Sequence, residues 1–202
     1  MTKIKKVRKK SFSLTKEYKQ SWEYVKESKK FIYVIITAFF LFALIGFFIP
    51  APQIIQERIM DFIKELIGQT KDMSQFDLIN FIISNNVKST FFGVIFGAFF
   101  GIFPLVGAIV NGYLLGFVSL LSVNDGGILT LWKIFPHGIF ELPAVFISLG
   151  LGLKMGTFAF KKKKLYFFRN CLINSLKAFL LIIVPLLVLA GIIEGTLMFL
   201  VK

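Results

Sequence analysis

The stretch "FPHGIFELPA", residues 135–144, sets His137 and Glu141 four residues apart between Pro136 and Pro143 in otherwise apolar sequence. On a helix such a pair shares one face, so imidazole and carboxylate can act together. A metalloprotease needs more ligands than H-x-x-x-E supplies, and His137 is the single histidine of the chain. Cys171 is the single cysteine, which excludes an internal disulfide and a thiolate-rich metal site and reads as packing. A nucleophilic hydrolase needs a serine or cysteine beside a base, and Ser119, Ser122 and Thr130 form no such pattern. No catalytic residue, metal or cofactor is therefore assigned. Two readings stay open. One is an ion or proton path, because Glu141 and Glu194 both lie within apolar segments and a histidine titrates near neutrality. The other is a structural polar cluster in which His137 and Glu141 close against Asn111 or Glu194.

These residues need elements to hold them, and composition says which kind. The chain of 202 residues is 56% hydrophobic with 26 phenylalanines and only 17% charged residues, unlike a soluble domain. Residues 31–49 carry no charge and would form roughly 28 Å of helix, enough for a bilayer core. The fold class that follows is all-α, a polytopic transmembrane helical bundle. A cleaved signal peptide fits less well: the basic arm is too long and no small-residue cleavage site follows "GFFIPAP".

Charge sets the topology. The net charge of +13 is clustered: residues 1–30 hold 11 basic and three acidic residues, and 154–177 hold seven basic residues and no acid. Clusters beside apolar segments follow the positive-inside rule and suit anionic headgroups, not nucleic acid. If both clusters are cytoplasmic, an even number of crossings separates them. The uncharged stretch 89–124 must then cross twice, turning near Pro104 and Gly107. The result is a basic cytoplasmic arm, 1–30, and one transmembrane domain, 31–202. Its spans fall at about 31–49, 87–104, 105–122, 138–160 and 178–200, with the N-terminus cytoplasmic and the C-terminus outside. Asn85 and Asn86 would cap the start of the second span. Between the first two spans, Ile55, Ile59, Phe62, Ile63 and Leu66 make one stripe, which predicts an amphipathic helix near 53–67. A continuous helix over 128–160 would be too long for one crossing. A broken helix around Pro136–Gly138 is expected instead, with Glu141 and Pro143 in the first turn of the crossing part.

Gly93, Gly97 and Gly101 recur every four residues, and Gly112 and Gly116 repeat the spacing, as do Gly152 and Gly156. In lipid such stripes let backbones approach closely, within the chain or between two copies. Asn111 falls mid-bilayer, where its amide can bond a neighbouring helix or a group near His137.

"NGYLLG" in one span followed by "PHGIFELPAVFISLGLGLKMG" in the next resembles the stage II sporulation protein M family, and "AGIIEGTLMFL" with Glu194 is similar to that family's last helix. The resemblance covers about residues 31–200 and is most specific at 136–144. It implies a membrane protein of five or six spans. In endospore formers the namesake acts during engulfment as the membrane scaffold of a complex with cell-wall-degrading enzymes, without being the hydrolase. The expectation for this chain is a non-enzymatic scaffold or assembly protein of the cell membrane. Its partners would be the lipid bilayer and other membrane proteins or a second copy. The alternative is a small transporter or channel subunit built on Asn111, His137, Glu141 and Glu194.

Overall fold

The computed structural model describes residues 13–201 apart from Pro50 and Ile134; at 132, 133, 135–137, 139, 140 and 201 it describes the backbone alone. The described residues are helical throughout, without a strand. Helix α1 (Leu14–Glu27) buries Ser21, Tyr24 and Val25, the face that Ser28 continues. Helix α2 (Lys29–Phe48) follows at once and ends at Ile49, whose extended backbone suits a residue ahead of a proline. Helix α3 (Gln53–Thr70) is the expected amphipathic element; it buries no residue.

Helix α4 (Gln75–Ile95) begins earlier than the sequence suggested. Ser74 caps it, accepting from the Asp77 amide at 3.2 Å while its hydroxyl donates to the Asp77 carboxylate at 2.6 Å. Asn85 and Asn86 therefore lie inside the helix instead of capping its start. The turn also differs. The chain passes through a 3-10 segment (Phe96–Ala98) and reverses at Phe100 and Gly101, both at positive φ (55° and 73°), before α5 (Ile102–Gly126). Glycine takes this conformation at no steric cost. Pro104 is the third residue of α5, where a missing N–H leaves no helical bond unmade, so it starts a helix and does not make the turn.

A 3-10 stretch (Ile128–Lys133) precedes α6 (Phe135–Gly156). The 3-10 stretch ends at Lys133 and α6 begins at Phe135, so residues 136–138 lie in the first turn of α6 and do not interrupt it. Pro143 lies within that helix, not at its start. Helix α7 (Lys164–Ala178) runs through a π segment (Phe179–Ile183) into α8 (Val184–Val201). Pro185 explains the π turn: its ring crowds the carbonyl four residues earlier and it lacks a donor, so the preceding turn widens.

Among the described residues Lys29–Phe48, Ile102–Gly126, Glu141–Phe160 and Lys164–Leu200 are long and apolar enough to cross a bilayer. Helix α4 is flanked by two of them. A Cβ on Gly93 would press on Leu149, and one on Gly97 would overlap the Gly152 backbone, so α4 and α6 run parallel. Gly112 meets Phe39 and Gly116 meets Ala43, which makes α2 and α5 parallel as well. Gly191 meets Ile83 and Gly195 meets Ile79, so α8 is antiparallel to α4. Phe39 and Phe146 stack edge-on at 5.0 Å while Gly150 meets Ile32, which sets α2 against the direction of α6. Helices α2, α5 and α8 thus point one way, and α4 and α6 the other. Ile35, Phe39, Ala108, Phe146 and Leu149 form one core between α2, α5 and α6. Val94, Ala144, Leu151, Ile183 and Leu187 form another between α4, α6 and α8. Helix α6 is the shared centre.

Candidate functional site

Three polar regions stand out on this frame. The first is the end of the bundle where α6 begins. His137 stands in the first turn of α6 on the backbone; its side chain lies outside the described residues. Glu141 follows one turn on, half-buried, with Oε2 shielded from solvent. It is not a first-turn cap, because α6 starts six residues earlier at Phe135. Glu194 on α8 is likewise half-buried with a shielded Oε2. The contacts of α4 with α6 and α8 fix the heights: Gly195 is level with Ile79, and Gly93 with Leu149. Carried along the parallel helices at equal rise, these place Glu194 at the height of the first turn of α6. The structure therefore brings Glu194 to the level of His137 on neighbouring helices.

The second region is a groove of about 150 Å³ between α4, α5 and α6, lined by Ser89, Thr90, Phe92, Gly93, Asn111 and Val145 among others. Asn111 is exposed there, and its Nδ2 donates to the Gly107 carbonyl of its own helix at 2.8 Å. At the groove's back wall the buried Ser148 hydroxyl donates to the Thr90 carbonyl, joining α6 to α4.

The third region was not legible beforehand. Lys154, near the end of α6, donates from Nζ to Ser28 Oγ at 2.9 Å and sits 3.9 Å from the centre of the Tyr24 ring. Ser28 Oγ donates onward to the Tyr24 carbonyl at 2.7 Å. The Tyr24 hydroxyl donates to the Cys171 carbonyl and meets Ser175 Oγ, both at 3.4 Å. Burial drives the Tyr24 pKa upward; the Ser175 hydrogen bond offsets this in part, and Cys171 and Glu27 add to the rise. Nearby, Lys177 and Glu17 form an ion pair at 2.6 Å. Cys171 is buried, as its packing role required. The signal available in the sequence was a lone lysine in a 22-residue helix together with Tyr24 and Ser28 at i and i+4.

The glycines are placed individually. Gly93, Gly97 and Gly101 face Leu149, Gly152 and Leu153 of α6, while Gly112 and Gly116 face the α2 backbone at Phe39 and Ala43. Their close approaches are made within the chain. Gly46 of α2, which the spacing did not single out, faces the Tyr113 carbonyl. Among the described residues no cluster of histidine, cysteine or carboxylate side chains is arranged to hold a metal.

The family model described as stage II sporulation protein M matches residues 35–197. An uncharacterized protein of Methanocaldococcus jannaschii is 29% identical over 179 residues, covering 84% of this chain and 78% of the relative. No solved structure matches.

Proposed function

Because the chain belongs to the stage II sporulation protein M family, we propose that it is a multi-pass scaffold of the cell membrane that assembles other membrane proteins and catalyses no reaction itself. Five crossings, with a cytoplasmic N-terminus and an external C-terminus, agree with the alternating helix directions. The observation that carries this topology is the meeting of α1 and α7 through Glu17–Lys177 and Tyr24–Ser175. Lys16, Lys19 and Lys26 of the first basic cluster thereby lie at the same end of the bundle as α7 of the second. Residues 1–30 and 154–177 together hold 18 basic and three acidic residues, whereas the rest of the chain holds six and eight. Such asymmetry is what the positive-inside rule demands and favours anionic headgroups on that side.

The scaffold reading is favoured over transport by the placement of the carboxylates. Among the described residues Glu141 and Glu194 are half-buried, and neither lines the groove beside Asn111. A conduction path would bring them to a water-filled cavity. Purification from native membranes in mild detergent should recover membrane-protein partners in fixed proportion, and proteoliposomes of the pure chain should show no proton or cation flux. A wild-type flux that Glu141→Gln silences without loss of fold would replace the scaffold by a transporter.

A further inference from the structure

Asn85, Lys88 and Ser89 stand at i, i+3 and i+4 on α4, and all three are exposed. Across the groove stands Asn111 of α5, exposed too, with one amide N–H committed to Gly107. The structure gives Asn85, Lys88 and Ser89 no side-chain hydrogen bond or ion pair among the described residues.

Their height matters. Phe146 lies three residues before Leu149, the neighbour of Gly93, so it is level with Thr90. Phe146 also stacks on Phe39, and Phe39 meets Gly112. Thr90, Phe146, Phe39 and Gly112 therefore share one level, and Phe39 is in the middle of the 20-residue α2. Lys88 is about half a turn from that level. On the five-crossing reading, on which this inference rests, the polar face looks into the bilayer at mid-depth. Lipid chains offer it no acceptor. The nearer interface is still roughly 12 Å away, beyond the four-carbon stem of a lysine, so Lys88 does not reach headgroups by snorkelling.

We propose that this face of α4, with the groove and Asn111, seats a transmembrane helix of another membrane protein, one bearing a carboxylate or carboxamide at mid-depth. The positive charge of Lys88 selects that acceptor. Asn85, Ser89 and Asn111 supply further hydrogen bonds across the contact. Phe92, Phe96 and Phe103 supply apolar walls. A second copy of this chain fits less well, because the same face turned on itself sets Lys88 toward its twin.

A photo-crosslinking side chain introduced at Ser89 or Asn111, with one at Leu41 on the exposed side of α2 as reference, tests this in native membranes. The expected result is a protein adduct at 89 and 111 and none at 41. The captured segment should be an apolar helix containing Asp, Glu, Asn or Gln. Lys88→Leu should lower the adduct yield at least about tenfold, the order of one charge-assisted bond lost, while the purified variant melts no lower than wild type. Lys88→Glu should recover the adduct when the partner's acceptor is changed to lysine. Adducts to lipid alone, to a second copy, or to a helix without an acceptor would each overturn the proposal. So would an unchanged yield in Lys88→Leu, or a loss of its intrinsic stability, which would make Lys88 part of the chain's own fold. Partners that copurify equally with wild type and Lys88→Leu sink this seat alone; a chain with no partners at all sinks the scaffold.

Discussion

Gly97, in the 3-10 turn that continues α4, and Gly152 of α6 meet backbone to backbone, so closely that a Cβ on Gly97 would overlap the Gly152 carbonyl group. Gly97 is buried, whereas its neighbour Ala98 is half-buried. The contact joins the two parallel helices just before the chain reverses at Gly101.

Gly97→Leu should accordingly be far more disruptive than Ala98→Leu. Forcing a side chain between two backbones costs at least the ~1–3 kcal/mol of an overpacked core, and backbone cannot yield as a rotamer can. Thermal melting and size-exclusion profiles of the two variants in detergent check this. Equal melting points would mean that α4 and α6 do not depend on this approach.

Much of this bundle was legible and some was not, for physical reasons. Hydropathy shows where α2, α5 and α8 lie because lipid-facing helices need apolar residues nearly all round. Helix α4 escapes it, since Asn80, Ser84, Asn85 and Lys88 dilute its hydropathy while Ser74 and Asp77 begin the helix long before the uncharged stretch. Proline breaks helix interiors, and on that ground the sequence points to a reversal near Pro104 and Gly107. In the first turn it breaks nothing, and the positive φ of Phe100 and Gly101 makes the turn instead. Glycine spacing revealed that backbones approach one another. It did not say which helices do so, because the same period serves α4 against α6 and α5 against α2. Lys154 reads as one more basic residue until α1 folds back to offer it Ser28 and the Tyr24 ring.

The folding back of α1 onto α7 makes a topological prediction. Gln20→Cys and Lys163→Cys, each in a Cys171→Ser background, should both react with a membrane-impermeant thiol reagent only after the cytoplasmic face is opened. The Glu17–Lys177 ion pair links the two segments, so they share one side of the membrane. Labelling from opposite sides would disprove the five-crossing arrangement.

Tyr24 makes a pH prediction. Its folded pKa is raised, first by burial, above the ordinary tyrosine value near 10. The unfolded chain therefore loses this proton at lower pH than the folded one. The stability Tyr24 contributes is whole below pH ~10 and declines as pH rises toward the folded value. Tyr24→Phe should keep the ring under Lys154, lose about 1 kcal/mol or less at neutral pH, and flatten the alkaline decline. Parallel alkaline slopes for the two proteins, followed by thermal melting between pH 8 and 11, would rule this out.

The last prediction concerns the polar end of α6. Register sets Glu194 at the height of the first turn of α6, where His137 stands, and Glu141 lies one turn along the same helix. The three side chains are expected to hydrogen-bond one another, and removing one would leave its partner unpaired at a cost of ~1–3 kcal/mol. His137→Ala, Glu141→Ala and Glu194→Ala should each destabilise the purified protein. Each double variant should cost less than the sum of its singles, with a coupling on the order of 0.5 kcal/mol or more. Strict additivity for all three pairs would mean that the three residues act independently. Metal analysis gives a separate check, since a closed zinc site needs about four ligands and these three side chains include a single imidazole. The purified chain should hold no stoichiometric zinc or iron, and chelator should leave its melting temperature unchanged. Metal present at one equivalent and lost in His137→Ala would turn this end of the bundle from a structural cluster into a metal centre, and the non-enzymatic scaffold reading would fall with it.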